Sequence, residues 1–413
     1  MASDRTAGPP SSAVPIESSL EAVISSAPGS VEVSVVIPCL NEAETLGTCI
    51  EKAIRSMREQ VIRGEIIVAD NGSSDASRTI ARDLGAVVVD VKNKGYGSAL
   101  MGGIAVAAGR FVIIGDADDS YNFAEIPKFV EKLRQGFDLV QGCRLPSGGG
   151  TVMPGAMPWL HRWLGNPMFS LLARRMFHAR VHDIYCGMRG FAKAFYLRLD
   201  QRCTGMEFAT EMIIKASLID GRIAEVPITL HRDGRTAHLP HLKTFRDGYR
   251  TLRFFLICSP RWLFLMPGGM LILLGLLGYG MVLPGISIGG INLDAHTLLF
   301  ASMAILCGYQ AILFAILSET FSVAERLLPP DPLLERFFSG LTLERGLVAA
   351  FAALLGAAFL LGGAVEQWRA VDFGALDYSR TMRWVIPGAT LAVLGFQTVL
   401  WGFFTSILGM RRN

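Results

Sequence analysis

Lysine is absent beyond residue 243: all eight lysines lie at or before Lys243. Charge of either sign thins out in the same direction, with 58 charged residues in 1–261 and only 17 in 262–413. That imbalance excludes a uniformly soluble chain and indicates a water-soluble part joined to a membrane part. The seven cysteines show no C-x-x-C and no paired spacing, which excludes a disulfide framework or a zinc site and leaves reduced thiols. No G-x-x-x-x-G-K-[ST] occurs, and no G-x-G-x-x-G follows the first strand, so NTPase and dinucleotide readings lose their main support. The net charge of +3 is too mild to argue for nucleic acid. Asp4 stands early and no apolar run follows it, so no cleavable signal is visible, and the Ser-, Ala-, Pro- and Gly-rich residues 1–30 read as a disordered leader.

The mean hydropathy of +0.39 comes from four apolar segments, at 263–283, 298–317, 347–365 and 385–408. Each approaches the roughly 20 residues needed to cross about 30 Å of hydrocarbon. The expected architecture is therefore an α/β domain over 31–240, an amphipathic juxtamembrane helix over 241–261, and an all-α membrane domain over 262–413. Lys243, Arg246, Arg250, Arg253, Arg261, Arg326, Arg336, Arg345, Arg411 and Arg412 fall on one side of these segments. Only Arg369, Arg380 and Arg383 fall on the other. By the positive-inside rule this is a multi-pass protein of the inner or plasma membrane with the soluble domain and both termini cytoplasmic. In the juxtamembrane stretch Phe245, Tyr249, Leu252 and Leu256 recur at helical spacing, with Arg246, Arg250 and Arg253 on another face. Such a helix suits the headgroup layer.

Upstream, short β-branched runs alternate with helical patterns. Strands are expected at 33–37, 65–69, 86–91, 111–115 and 138–141, and helices near 42–59, 76–84, 97–108 and 123–135. Continuous apolar strands separated by helices imply a mostly parallel sheet covered on both faces, with ligands beyond the carboxyl ends of its strands. Acidic residues gather at those ends: Asn41-Glu42 after the first strand, Asp70-Asn71 after the second, Asp116-Ala117-Asp118 after the fourth. One such turn can be a helix cap; three on one rim point to a site. Alternating carboxylates at Asp116 and Asp118 suit Mg²⁺ or Mn²⁺, which a protein holds with one or two carboxylates and the substrate's phosphates. Lys94-Gly95-Tyr96-Gly97 opens a small-residue helix, and its glycines would let an anion approach backbone N–H groups.

The ordered set VVIPCLNEAETL, IIVADNGSSDAS, NKGYGSALMGGI, IIGDADDS and VQGCR resembles the family-2 glycosyltransferases of the Rossmann-like GT-A fold. LGNPMFSLLARRMF, HDIYCGMRGF, TGMEFATEM and AEVPITLHRDGRT extend the resemblance towards the polyprenyl- and dolichyl-phosphate branch, over about residues 33–240. It implies inverting transfer of one hexose from a nucleotide sugar, here a UDP-hexose, to a polyprenyl phosphate for cell-envelope glycan assembly or glycosylation. It further implies that Pro38, Asn41, Glu42, Asp70 and Lys94 line the nucleotide pocket and that Asp116 lies near ribose and diphosphate. Asp118 would be the main metal ligand, and Arg144 would contact a phosphate. Asp183 and Arg189 would shape the sugar and acceptor site, with Glu207 and Glu211 facing the sugar. The family's Gly-x-Ser-Lys stands here as Gly234-Arg235-Thr236, so Arg232 and Arg235 are expected to replace the lysine at the diphosphate. Arg174 and Arg175 meet the lipid phosphate or face headgroups; both readings stand.

Two other functions compete. A processive polysaccharide synthase would carry Q-x-x-R-W, but Trp159 and Cys258 stand where Gln should precede the two Arg-Trp pairs. A flippase or scaffold role for the membrane helices is an addition to transfer rather than a substitute, and the lack of charge within the segments argues against ion coupling. A homo-oligomer is compatible with the sequence, which does not specify one.

Overall fold

The computed structural model describes residues 31–235, 244–284, 287–288, 291–324 and 343–409. The expected leader, Lys243, Arg326, Arg336, Arg411, Arg412 and the side chains of Phe245 and Arg246 lie outside the described residues. The chain divides into two compact units between Thr251 and Leu252.

In the first unit apolar runs, buried over most of their length except in the edge strand β3, form the first five strands. These are β1 (Val33–Cys39), β2 (Gly64–Asp70), β3 (Val87–Asp90), β4 (Phe111–Ile114) and β5 (Leu139–Cys143). Helices α1 (Leu46–Glu59), α2 (Ser77–Asp83), α3 (Tyr96–Val106) and α4 (Ile126–Arg134) connect them; α1 and α4 are amphipathic, whereas α3 is apolar nearly all round. The core of Val35, Ile37, Val68, Ile113 and Val140 packs against Leu46, Ile50, Phe129 and Leu133. Beyond β5 come a short β6 (Thr151–Val152), α5 (Asn166–Phe177), β7 (Arg189–Ala192), α6 (Lys193–Leu199), α7 (Glu207–Leu218), β8 (Ile223–Pro227) and β9 (Thr229–Leu230).

The sheet has seven strands in the order β3-β2-β1-β4-β7-β5-β8. The five expected strands are present and the sheet is mostly parallel, as expected; β7 and β8 are additions to that expectation, and β7 alone runs antiparallel. Strands β1 to β4 are parallel, but β7 inserts antiparallel between β4 and β5, so consecutive strands β4 and β5 are not neighbours. At only four residues, one of them glycine, β7 is too short to show a period-2 pattern. The chain leaves β1 towards β2 on one side, while β4 returns on the other. Val36 pairs with Ile114, so the loops following β1 and β4 emerge side by side. That is a topological switch point, where open α/β sheets bind ligands.

The division between units falls inside α8 (Thr244–Ile257), whose Tyr249, Arg250, Leu252 and Arg253 are exposed. In the second unit a π-helical turn, Arg261–Leu265, leads into α9 (Met266–Val282). Helices α10 (Ala295–Ala324), α11 (Leu343–Arg369) and α12 (Tyr378–Gly409) follow. Among the described residues four helices are long and apolar enough to cross a membrane: Arg261–Val282, Ala295–Val323, Leu343–Arg369 and Tyr378–Phe404. The longer α10 brings Glu319, which is buried, inside a candidate span. The segments are therefore not wholly free of charge, contrary to the expectation drawn from 298–317.

Small residues let these helices touch. A Cβ on Gly308 would lie 2.5 Å from the Gly268 carbonyl oxygen, and one on Gly275 would lie 2.6 Å from that of Ala301. Tyr279 Oη pairs with Ser302 Oγ at 2.6 Å, and Tyr309 Oη with Thr398 Oγ1 at 2.6 Å. Gly308→Leu should therefore push α9 and α10 apart and cost about 1–3 kcal/mol. Gly280→Leu, where a side chain meets open space, should be neutral. Thermal unfolding of the detergent-solubilised chain measures both, and an unchanged Gly308→Leu would disprove the close helix contact.

Candidate active site

The loop after β1 turns sharply because Asn41 adopts a left-handed conformation (φ 59°), a state Asn tolerates. Its backbone N–H donates to Ser73 Oγ at 2.9 Å, and its Oδ1 accepts from the Ser74 N–H at 2.8 Å. Asp75 accepts N–H bonds from Ala43 and Ser77, a connecting and capping role. The β1 and β2 loops are thus stitched together. Asp70, wholly buried at the end of β2, accepts from the N–H groups of Gly72 and Ser73 and from Arg78 Nε at 2.6 Å. Burial pushes its carboxyl upward. The bonds from Ser73, Arg78 and Gly72 outweigh burial and hold it below the usual carboxylate range.

Asn71 has a structural use. Its Nδ2 donates to the carbonyls of Val91 and Asn93, and its Oδ1 accepts the Gly95 N–H at 2.8 Å. Lys94 Nζ caps the Asn71 carbonyl at 2.6 Å. The glycines of the Lys-Gly-Tyr-Gly turn serve packing rather than an anion. A Cβ on Gly95 or Gly97 would lie 2.3 Å from the Thr204 or Cys203 carbonyl oxygen, and Thr204 already takes the Ser98 N–H. That packing brings the start of α7 up to the turn that carries Tyr96.

Tyr96 Oη donates to Asp116 Oδ1 at 2.9 Å. Burial first, then the charge of Asp118, push the Asp116 carboxyl up to about 7, although Tyr96, Arg144 and Arg235 pull it back. Asp116 and Asp118 stand close enough that the charge of one pushes the other's carboxyl up, and such a pair of carboxylates is a donor set that fits a divalent cation. Among the described residues no three carboxylate, imidazole or thiolate groups converge on one point. A cation held here would therefore draw on the donor's phosphates. Asp118 Oδ1 accepts from the N–H and Oγ of Ser120, and its Oδ2 accepts from Arg235 at 3.0 Å. Asp119, the next carboxylate along, turns away to pair with Lys52 at 2.7 Å.

Arg235 reaches this rim, but Arg232 does not: its Nε bonds the Pro154 carbonyl at 2.6 Å. Arg144 and Asp183 form a buried two-pronged pair, with Nε to Oδ2 at 2.7 Å and a second nitrogen to Oδ1 at 2.9 Å. Asp183 thus orients Arg144 rather than facing substrate, and Tyr121 Oη takes a third Arg144 bond at 3.3 Å. Arg189 is fully buried and donates to the carbonyls of Ala209 and Cys186, so it braces the fold behind the site. Glu211 is also buried. It accepts the Arg202 and Cys203 N–H groups and pairs with Lys215 at 2.8 Å, which withdraws it from any sugar pocket. Glu207, at the head of α7, takes no partner among the described residues. His182 pairs with Glu225, an ordinary polar contact. None of the cysteines is in a disulfide, and burial pushes the Cys39 thiol up to about 11 and those of Cys49 and Cys143 up to about 12, leaving them unreactive.

Four participants escape sequence reading: Tyr96, Tyr121, Asp233 and Arg78. Tyr96 lies within a motif quoted for its glycines. The other three reveal themselves only through partners distant in the chain or, for Asp233, through the neighbour it holds.

A Rossmann-like sheet with a paired-aspartate rim at its switch point, followed by four membrane-length helices, defines a membrane-associated transferase of the GT-A type. The comparisons agree. The glycosyl transferase family 2 profile matches residues 34–199, and the glycosyltransferase family 2 C-terminal transmembrane region matches residues 316–409. The low-salt glycan biosynthesis hexosyltransferase Agl6 of Haloferax volcanii is 35% identical over 378 residues, spanning 91% of this chain and 89% of that protein. A dolichyl-phosphate hexose transferase of the same organism is 32% identical over 48% of this chain and 82% of its own. Glucosyl-3-phosphoglycerate synthase of Mycobacterium tuberculosis, solved with Mn²⁺, UDP and glucosyl-3-phosphoglycerate, aligns at 22% identity and a TM-score of 0.42, covering 61% of this chain and 85% of that one. The chain belongs to glycosyltransferase family 2, and its C-terminal part matches that family's transmembrane region.

Proposed function

We propose that this enzyme transfers a single hexose from a UDP-hexose to a polyprenyl phosphate, with inversion at the anomeric carbon. The observation that carries the reading is the paired-aspartate rim at the β1/β4 switch point, in a chain that also holds four membrane-length helices. The dolichyl-phosphate relative supports a lipid-phosphate acceptor. A lipid phosphate is already anionic near neutral pH, so positioning and charge stabilisation suffice and no strong general base is required. Asp118 and Asp116 would hold Mg²⁺ or Mn²⁺, whose chemistry is Lewis-acid neutralisation of the departing diphosphate. Glu42, Asn41, Pro38 and Asp70 shape the nucleotide side. Arg144, locked by Asp183, keeps a fixed positive charge near Asp116. Glu207 is available to a sugar hydroxyl. The ten-to-three split of Lys and Arg across the spans supports a cytoplasmic catalytic unit.

Membranes containing the protein should label polyprenyl phosphate from one nucleotide sugar in a panel of common donors. Labelling should stop with EDTA and return with Mg²⁺ or Mn²⁺. No lipid-linked product from any donor would overturn the reading.

A further inference from the structure

Arg235 is the most heavily committed side chain on the rim. Its Nε and one terminal nitrogen grip Asp233. The other terminal nitrogen meets Glu42 Oε1 at 3.0 Å, and the Asp233-bound nitrogen also meets Asp118 Oδ2 at 3.0 Å. The side chain is only 11% exposed, so the guanidinium fills the space between the β1 and β4 loops. Both oxygens of Asp118 are then engaged, one by Ser120 and one by Arg235. A divalent cation needs an oxygen lone pair of its own, and it cannot share one with a guanidinium without like-charge repulsion.

We propose that Arg235 is a displaceable counter-ion of the cation site. Before the donor arrives it neutralises Glu42 and Asp118. When a nucleoside diphosphate brings a divalent cation, Arg235 releases Asp118 and pairs with diphosphate oxygens, which its planar fork fits as well as it fits a carboxylate. Asp233, two residues away, keeps hold of the side chain. Cation and diphosphate therefore bind cooperatively, because each supplies what the other's arrival disturbs. The inference rests on the proposed donor chemistry.

The test is Mn²⁺ binding to the full detergent-solubilised chain, read from the EPR signal of free Mn²⁺, with and without UDP. Without UDP, Arg235→Ala should bind Mn²⁺ about tenfold more tightly than wild type, within the usual range of coupling between sites. UDP should tighten Mn²⁺ binding strongly in wild type and much less in Arg235→Ala. If Arg235 were merely a nearby charge, its removal would raise affinity equally with and without UDP, and that result would overturn the proposal, as would equal affinity in wild type and variant. Arg235→Gln, which keeps the side chain's bulk without its charge, should repeat the Arg235→Ala pattern and serves if that variant does not fold. Asp118→Asn separates the two readings. Undiminished Mn²⁺ binding in it would remove the cation site itself, whereas loss of binding there with no effect at Arg235 would remove only the counter-ion role.

Discussion

Asp118→Asn will reduce hexosyl transfer about a hundred- to a thousandfold or more, while Asp119→Asn will leave it within a few-fold of wild type. The two carboxylates are consecutive in the chain but do different things. Asp118 lies on the rim against Ser120 and Arg235, whereas Asp119 is spent on Lys52 of α1. Amidation at 118 removes one of the two charges that would hold the cation at the diphosphate, and a Lewis acid supplies several kcal/mol to such a step. Asn is nearly isosteric and keeps an acceptor for Ser120, so the fold should survive. The measurement is labelled sugar recovered in the lipid phase, with thermal unfolding as the control. Full activity in Asp118→Asn would refute the assignment of the rim as the catalytic centre.

Asp183→Ala should destabilise the first unit by about 3–5 kcal/mol, because it strands a buried guanidinium. Arg144 is almost fully enclosed, and both prongs of its fork, as well as its own backbone N–H, end on Asp183. No other carboxylate among the described residues bonds it. The double variant Asp183→Ala with Arg144→Leu should regain most of that stability, since an apolar pair leaves no charge to desolvate. It should not regain activity, because the positive charge near Asp116 is gone. Differential scanning of the single and double variants decides the matter. A single variant as stable as wild type would mean that Arg144 finds solvent and is not held as described.

The first four helices, the membrane helices and the first five strands could be read in the sequence, from apolar runs and from apolar residues recurring every three or four positions, whereas α5, α6 and α7 escape that reading. The acidic strand ends were equally legible, since Asp70, Asp116 and Asp118 directly follow those runs. Strand β7 was not, and with it went the true neighbour of β4. Glu211 and Glu207 show the same limit at the level of single residues. They stand one helical turn apart and look equivalent in the sequence, yet one is consumed by the Arg202–Cys203 backbone and Lys215 while the other has no partner among the described residues.

By itself the sequence determined a transferase domain with an acidic rim, a membrane region after it, and the absence of any nucleotide-binding loop of the P-loop or dinucleotide kind. These are local properties of composition, period and motif, and each is complete within a few tens of residues. Only the tertiary structure decided which charges oppose which. Arg235 meets Glu42 across 193 positions and Asp118 across 117, and Arg144 meets Asp183 across 39. The physical reason is that Coulomb energy depends on distance in space and on how much water lies between the charges. Neither quantity is defined until the sheet has brought distant loops to one edge.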